Sequence, residues 1–250
     1  MKPKEFVKEY SIKSLVCCFS GGKDSLCATH YVLSELEDVD IEKYVVFVDT
    51  TVTVPIAIEY VKDVAARFGW PLKILKPEPD FWTLCLKHGT PGIKRRWCCY
   101  ELKLKPIFGF VKQLKPQRAM VTGLRKDESV RRRKLGLKRV IYVKRDNVNA
   151  WAYAPILDWS EKDVLNYIKR HNLPMPPHYA MGIGEVCICG AFTHRKELMI
   201  VRARFPDFFQ KFVQLQEQYG AGHVVFWDRG PLDPRELIKQ KTLNEYPQQA

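Results

Sequence analysis

Residues 20–25 read Ser-Gly-Gly-Lys-Asp-Ser, between an apolar run, Leu15-Val16-Cys17-Cys18-Phe19, and a helix-like stretch from Leu26. A strand that turns through two glycines into a helix start presents several backbone N–H groups to one small volume. That volume suits a phosphate chain. Gly21 and Gly22 remove the Cβ atoms that would block close approach. Ser20 and Ser25 add hydroxyls, Lys23 adds a mobile positive charge, and Asp24 is placed to brace the loop or to help hold Mg²⁺. The segment lacks the four residues that a Walker A loop carries between its first glycine and Gly-Lys. The plainer alternative, an ordinary glycine turn, does not call for two serines, a lysine and an aspartate together.

The surrounding pattern sets the loop in an α/β framework. Leu15–Phe19, Tyr44–Val48, Leu72–Leu75 and Ala119–Thr122 read as short buried strands. Helices are expected over 26–36, 55–68 and 100–114, the last starting near Trp97, with Pro55 in a first helical turn and Gly69 just past a helix end. Strands alternating with helices imply a parallel twisted sheet flanked by helices. Ligands in such sheets sit at the carboxyl ends of strands. Ser20–Ser25, Asp49-Thr50 and Gly123-Leu124-Arg125 all follow expected strands, so they are expected to converge on one crevice.

Beyond Arg145 the character changes. Trp151–Leu157 reads as extended, Ser160 caps a helix with Asp163 at the capping-box position, and Leu173-Pro174-Met175-Pro176-Pro177 cannot be helical. Two further helices are expected at 193–204 and 206–219, followed by a Gly/Pro-rich tail from Gly220. The expected division is a nucleotide-binding α/β domain over 1–159 and a helical C-terminal region over 160–250. There is no internal repeat.

Charge and cysteine content narrow the function. The net charge is +13, and residues 125–145 hold a large share of the cations against Asp127 and Glu128. Such a stretch fits polyanionic substrates or nucleic acid, or a plain solvated basic face. No apolar run is long enough to span a bilayer, and the first residues lack a signal-peptide core, so the expected compartment is the cytoplasm. A disulfide framework is not expected of the 8 cysteines. Cys17, Cys18, Cys27 and Cys85 lie in apolar runs and read as buried small side chains. Cys98-Cys99 and Cys187-Ile188-Cys189 form two pairs far apart in sequence and read as ligands of a metal or an iron–sulfur cluster, with zinc as an alternative. Lys94-Arg95-Arg96 stands ready to stabilise thiolates or to bind phosphate, and His88, His178 and His194 are candidate ligands or bases, although a lone histidine is more often structural.

Several blocks carry a family resemblance. Ser20–Ser25 resembles the PP-loop of the ATP-pyrophosphatase and PAPS-reductase group. Val48-Asp49-Thr50, Arg96-Trp97-Cys98-Cys99, Thr122–Ser129, Tyr153–Trp159 and Cys187-Ile188-Cys189 are similar to later blocks of PAPS-reductase-like proteins, in the right order. The resemblance implies the adenine nucleotide alpha hydrolase-like fold with a helical C-terminal extension. It implies that Ser20, Gly21, Gly22, Lys23, Asp24 and Ser25 cradle phosphate or sulfate oxygens. Asp49 then sits at the nucleotide mouth, and Gly123, Arg125, Arg131 and Arg132 serve the charged end of the ligand. Lys23, Asp24 and Arg125 are the implied catalytic residues. Adenylyl-sulfate reductases similarly hold a [4Fe–4S] cluster on a Cys-Cys pair and a distant Cys-x-x-Cys, which implies Cys98, Cys99, Cys187 and Cys189 here, although the second pair has one intervening residue rather than two. A second departure is that no cysteine follows Cys189, where the reductases carry a tail cysteine that attacks sulfate.

The leading expectation is reduction of activated sulfate, APS or PAPS, to sulfite with a cluster or a thiol electron donor. One alternative is an ATP pyrophosphatase that adenylates tRNA or DNA, uses Mg²⁺ and transfers sulfur from a sulfur donor. The other is a non-catalytic nucleotide-binding module. A homodimer is carried as an expectation, and a membrane partner is not.

Overall fold

A computed structural model of the chain describes residues 1–134, 136–219 and 235. They divide into two compact units that interleave in sequence. The first comprises Met1–Val48, Glu59–Leu75 and Lys105–Pro176; the second comprises Asp49–Ile58, Lys76–Leu104 and Pro177–Ala250. The expected division at 159/160 is therefore not where the compact units part. Residues 161–170 join the sheet-bearing unit, and the stretch with the first cysteine pair joins the unit with the second pair. The Gly/Pro-rich tail expected from Gly220 lies outside the described residues.

The first unit holds the sheet. Its strands are β1 (Ser14–Cys18), β2 (Glu42–Val48), β3 (Leu72–Leu75), β4 (Arg118–Val121), β5 (Val140–Arg145) and β6 (Val148–Tyr153), in the order β3-β2-β1-β4-β6-β5. All neighbours run parallel except β5 and β6, which form an antiparallel hairpin. Its turn residues, Asp146 and Asn147, are both left-handed, as a two-residue hairpin turn requires. β1 lies at the centre, with Leu15, Val16 and Cys17 fully buried, which explains its nearly unbroken apolar run. The chain builds outward from β1 through β2 to β3, then returns to the other side with β4. The junction of β1 and β4 is thus the point where strand order reverses, and there a parallel sheet leaves a crevice at its carboxyl edge.

Helices α1 (Pro3–Glu9) and α2 (Lys23–Glu35), most of α3 (Pro55–Arg67), and later α6 (Lys105–Lys112), α7 (Val130–Lys134) and α8 (Glu161–Arg170) belong to this unit. Gly69 ends α3 with a φ of +64°, and Val16, Val46, Phe108, Val111, Met120, Val148 and Ala150 form one core cluster.

The second unit is helical. It contains α4 (Phe81–His88), α5 (Trp97–Cys99), a π-helical turn (Tyr100–Leu104), α9 (Pro177–Ala180), α10 (Arg195–Arg204) and α11 (Pro206–Tyr219). Phe81, Leu84, Leu102, Ile188, Leu198, Val201 and Phe212 are among the residues of its core. The helix expected from Trp97 to Leu114 is instead three segments in succession: α5, the π turn, and α6 (Lys105–Lys112). α7 (Val130–Lys134), α8 (Glu161–Arg170) and a short 3₁₀ turn (Lys126–Glu128) complete the described elements named here. Ser160 caps α8 as its sequence suggests: its hydroxyl accepts from Asp163 N, and the Asp163 carboxylate accepts from Ser160 N at 2.8 Å. No helix among the described residues is long and apolar enough to cross a membrane.

His178 in α9 is fully buried, and neither ring nitrogen has a hydrogen-bond partner among the described residues. Burial pushes its pKa down to about 4, and burial also lowers that of His30 to about 4. A base kept neutral in the fold takes up its proton only on unfolding. Stability is therefore complete above the unfolded pKa near 6.5 and falls as pH drops toward the folded value. At pH 5 the loss from His178 alone is about 2 kcal/mol. His178→Leu is expected to show a smaller fall in melting temperature between pH 7 and pH 5 than the parent chain. Equal falls would remove His178 from the acid response.

Candidate functional site

In the first unit the loop after β1 is stitched by its own serines. Ser25 Oγ accepts from Ser20 N at 3.1 Å, lies 2.9 Å from Ser20 Oγ, and donates to Gly22 O at 2.9 Å. Gly21 takes a φ of +83°, a left-handed conformation that favours glycine. Gly22 is the N-cap of α2, so its first turn begins at Lys23. First-turn amides lack intrahelical acceptors and carry the positive end of the helix dipole. The loop after β4 presses against this turn. A Cβ on Gly123 would lie 2.6 Å from Ser25 N and 2.7 Å from the Asp24 carbonyl carbon. Only glycine lets the two backbones approach so closely.

Arg125 locks the same junction. It is 2% exposed; its Nε donates to Asp24 Oδ1 at 2.9 Å, its Nη2 to Glu161 Oε2 at 2.7 Å, and its Nη1 to Trp159 O at 3.4 Å. Burial works against the charged guanidinium, but Asp24 and Glu161 outweigh it and raise its pKa. Lys23 Nζ lies 3.6 Å from Asp24 Oδ2 and 3.3 Å from Glu161 Oε1. Both Asp24 oxygens thus face cations, which makes Asp24 a poor Mg²⁺ ligand in this arrangement. Arg125 is engaged inside the protein as a brace between loop and α8, whereas the sequence led us to expect it at the ligand's charged end.

The basic stretch is mostly internally paired. Lys126 meets Asp158 at 2.7 Å, Arg132 pairs with Glu128, Arg133 lies 3.7 Å from Asp127, and Arg139 is bound to Asp158 and to Ala154 O. Arg131 lies on α7, and its side chain is outside the described residues. Local charge count therefore overstates the field this segment presents to a polyanion.

The second unit gathers the paired cysteines. Residues 52–54 run antiparallel to 186–188, through Val54 N to Val186 O at 2.9 Å and Ile188 N to Val52 O at 3.0 Å. This holds Cys187 beside Thr50, whose hydroxyl donates to Cys187 Sγ at 3.5 Å. Cys98 Sγ donates to Cys189 Sγ at 3.6 Å, and thiol contacts link Cys98 to Cys99 and Cys187 to Cys189. The four thiols thus form one connected set. Among the described residues no group of three or more His, Cys, Asp or Glu side chains is placed to hold a metal ion, so the set is not a preformed single-ion site.

The thiols share protons unequally. The bond from Cys98 lowers the Cys99 pKa to about 7, with Lys103 helping. At Cys98 the bond to Cys189 lowers the pKa, but the bond to Cys99 and burial carry it up to about 12. At Cys189 the bond from Cys187 lowers it, yet Cys98 and burial leave it at about 11, and Cys187 is pushed well up by its bond to Cys189. Burial opposes the Lys103 charge, but Cys187, Cys189, Cys99 and Glu185 outweigh it and raise its pKa. Cys17, Cys27 and Cys85 are buried, and burial raises their thiols, as expected of inert core cysteines.

Asp49 is buried in the second unit, accepting from Thr51 N at 3.0 Å and lying 3.6 Å from Lys76 Nζ. Of the residues expected to meet, the loop, Gly123 and Arg125 come together in the first unit, and the four cysteines in the second. Sequence reasoning missed Glu161, read there only as part of a helix start, and Lys103, whose signal was its position four residues after Cys99.

Residues 14–215 match the family model of the phosphoadenosine phosphosulfate reductase domain. The chain belongs to that family. Among curated relatives, it is 29% identical over 241 residues to an uncharacterised protein of Methanocaldococcus jannaschii, covering 94% of this chain but 56% of that protein. It is 26% identical to adenosine 5′-phosphosulfate reductase 2 of Bacillus subtilis, covering 67% of each chain. It is 29% identical to phosphoadenosine 5′-phosphosulfate reductase of Alkalilimnicola ehrlichii, covering 69% of each. In structure it resembles a PAPS reductase from Candida auris in its phosphate complex, with a TM-score of 0.53, 21% identity and coverage of 74% of this chain and 88% of that one. FMN adenylyltransferase of Candida glabrata with FAD and pyrophosphate gives a TM-score of 0.54 at 18% identity, covering 73% and 59%. These likenesses establish the adenine nucleotide alpha hydrolase-like fold of the reductase-domain chain.

Gly123→Ala is expected to fold yet weaken binding of an adenosine nucleotide at least tenfold, because the added methyl meets backbone rather than a movable side chain. Calorimetric titration beside a melting curve checks this. Unchanged affinity would show that the close approach does not shape the loop.

Proposed function

We propose that this chain binds adenylyl sulfate, or its 3′-phosphorylated form, on Ser20–Ser25 and reduces the sulfate to sulfite. The observation that supports this reading is the loop itself. A serine-stitched turn opens a helix at the strand-order reversal, where glycine at 123 lets the loop after β4 approach the Ser25 backbone. In this reading Lys23 and the first-turn amides of α2 neutralise the phosphate that leaves. A thiolate of an external dithiol donor attacks the sulfate sulfur, the bond from sulfur to the phosphate oxygen breaks, and AMP or its 3′-phosphorylated form departs. The donor's second thiolate then attacks the thiol-derived sulfur of the thiosulfonate, the S–S bond to the sulfonate breaks, sulfite leaves and a disulfide remains, so that two thiols supply the two electrons.

Cys98, Cys99, Cys187 and Cys189 are the residues that would hold a [4Fe–4S] cluster, and the fit rests on a connected, all-thiol donor set with the Lys103 ammonium to offset its charge. When bound, such a group would supply thiolate-ligated iron able to carry electrons.

The loop's full Ser-Gly-Gly-Lys-Asp-Ser form favours one second reading, an ATP pyrophosphatase that adenylates an acceptor before sulfur transfer. The internal pairing of Lys126, Arg132, Arg133 and Arg139 weakens the case that residues 125–145 bind a nucleic-acid acceptor. Anaerobically purified protein is incubated separately with adenylyl sulfate, its 3′-phosphorylated form and Mg-ATP, with a dithiol present. Sulfite without pyrophosphate is the expected result; pyrophosphate from ATP would select the second reading. Lys23→Ala is expected to lower sulfite formation by about a hundredfold or more without shifting the melting temperature.

For the thiols, iron and acid-labile sulfide are expected in the native protein and lost in Cys98→Ser and Cys189→Ser, read by metal analysis and visible absorption. Iron-free protein from anaerobic cells would sink the cluster.

A further inference from the structure

The loop lysine already has an anion. Lys23 Nζ lies 3.3 Å from Glu161 Oε1, and the other Glu161 oxygen is held by Arg125 at 2.7 Å. Asp24 completes the ring, 2.9 Å from Arg125 and 3.6 Å from Lys23. Asp127 stands at the edge, 3.9 Å from Arg125 and 3.7 Å from Arg133. Three cations, Lys23, Arg125 and Arg133, thus face three carboxylates, Asp24, Glu161 and Asp127, and the network is formally neutral. A ligand bearing several negative charges gains little from a neutral network. It gains a full charge if one carboxylate withdraws.

The members differ in how easily they can leave. The side chains of Arg125, Lys23 and Asp24 are 2%, 17% and 19% exposed, whereas that of Glu161 is 52% exposed. Asp24 and Glu161 each lie in the first turn of a helix, so the dipole favours both and exposure is what separates them. Glu161 is the first residue of α8, and the cap of that helix is made by Ser160 and Asp163. Glu161 can therefore turn into solvent without uncapping its helix, and the buried Arg125 guanidinium then keeps Asp24 at 2.9 Å and Trp159 O at 3.4 Å.

We propose that Glu161 is the resident counter-anion of Lys23: its carboxylate holds the lysine in the unliganded protein and yields to the ligand's oxyanion, so that Glu161 positions Lys23 and sets the anion affinity of the loop. This rests on the reading of Ser20–Ser25 as an oxyanion site. Glu161 touches the lysine and not the reacting atoms, so it is a positioning residue.

Inorganic pyrophosphate and ATP are titrated into the full chain by calorimetry. The variants are Glu161→Gln, Lys23→Ala, the two combined, and Glu37→Gln, which removes one exposed negative charge elsewhere. Glu161→Gln is expected to bind pyrophosphate about three- to tenfold more tightly than the parent, with its melting temperature little changed. Glu37→Gln should bind like the parent, and the gain should vanish in the Lys23→Ala background. A folded Glu161→Gln protein that binds no more tightly than the parent overturns the proposal. So does a gain that persists without Lys23, or one matched by Glu37→Gln, since either marks a general charge effect. If the parent binds neither probe, the oxyanion reading of the loop falls and takes this inference with it. If the parent binds both and only the Glu161 effect is missing, the loop stands and the counter-anion role alone fails.

Discussion

A guanidinium almost sealed from solvent fixes the geometry of the loop. Arg125 follows β4 by a few residues, while its partners Asp24 and Glu161 open α2 and α8. Removing one partner from a buried pair strands the other charge at about 3–5 kcal/mol, so the turns after β1 and β4 are bound to one another through Asp24 and Arg125, with the more exposed Glu161 as a third partner at α8. The close approach of Gly123 to Ser25 acts at the same place through sterics. Charge and shape together leave the turn from β1 into α2 little freedom. That preorganisation is what an anion site in a flexible glycine loop needs, because amides held in place need not reorient when the ligand arrives.

The same ring of charges shows how a basic sequence can be less electropositive than its composition suggests. The partners of the cations in 125–145 include Asp24, Asp158 and Glu161, which lie outside the stretch. A count along the chain cannot see them. Most of the cations of this stretch are met by carboxylates, and Arg125 is held by Asp24 and Glu161, which a reading along the chain does not anticipate.

Much else was legible. The buried β-branched runs located four of the strands to within two residues, and Ser160 with Asp163 marked the start of α8 correctly, because capping and strand burial are local physics. β5 was not legible. Its pattern mixes apolar and basic residues, and its place is set by pairing with β6 across a two-residue turn. The π turn was also hidden, since Tyr100–Leu104 has ordinary helical composition. Of the site, the loop, Gly123 and the four cysteines could be read from residue type and spacing. Glu161 and Lys103 could not be assigned roles, because a carboxylate or an ammonium takes its meaning from neighbours that only folding supplies.

The cysteine spacing that departs from the adenylyl-sulfate-reductase pattern has a local explanation. Along extended backbone, residues i and i+2 share a face. Cys187 and Ile188 lie in the stretch paired with residues 52–54; Ile188 is fully buried in the core, while the thiols of Cys187 and Cys189 meet each other. One intervening residue is therefore enough to bring two thiols together when the chain is extended. Two would be needed only if the chain turned between them. Val186 O accepts from Val54 N and Ile188 N donates to Val52 O, so the backbone on either side of Cys187 is engaged and the one-residue spacing of the pair follows from that extended pairing.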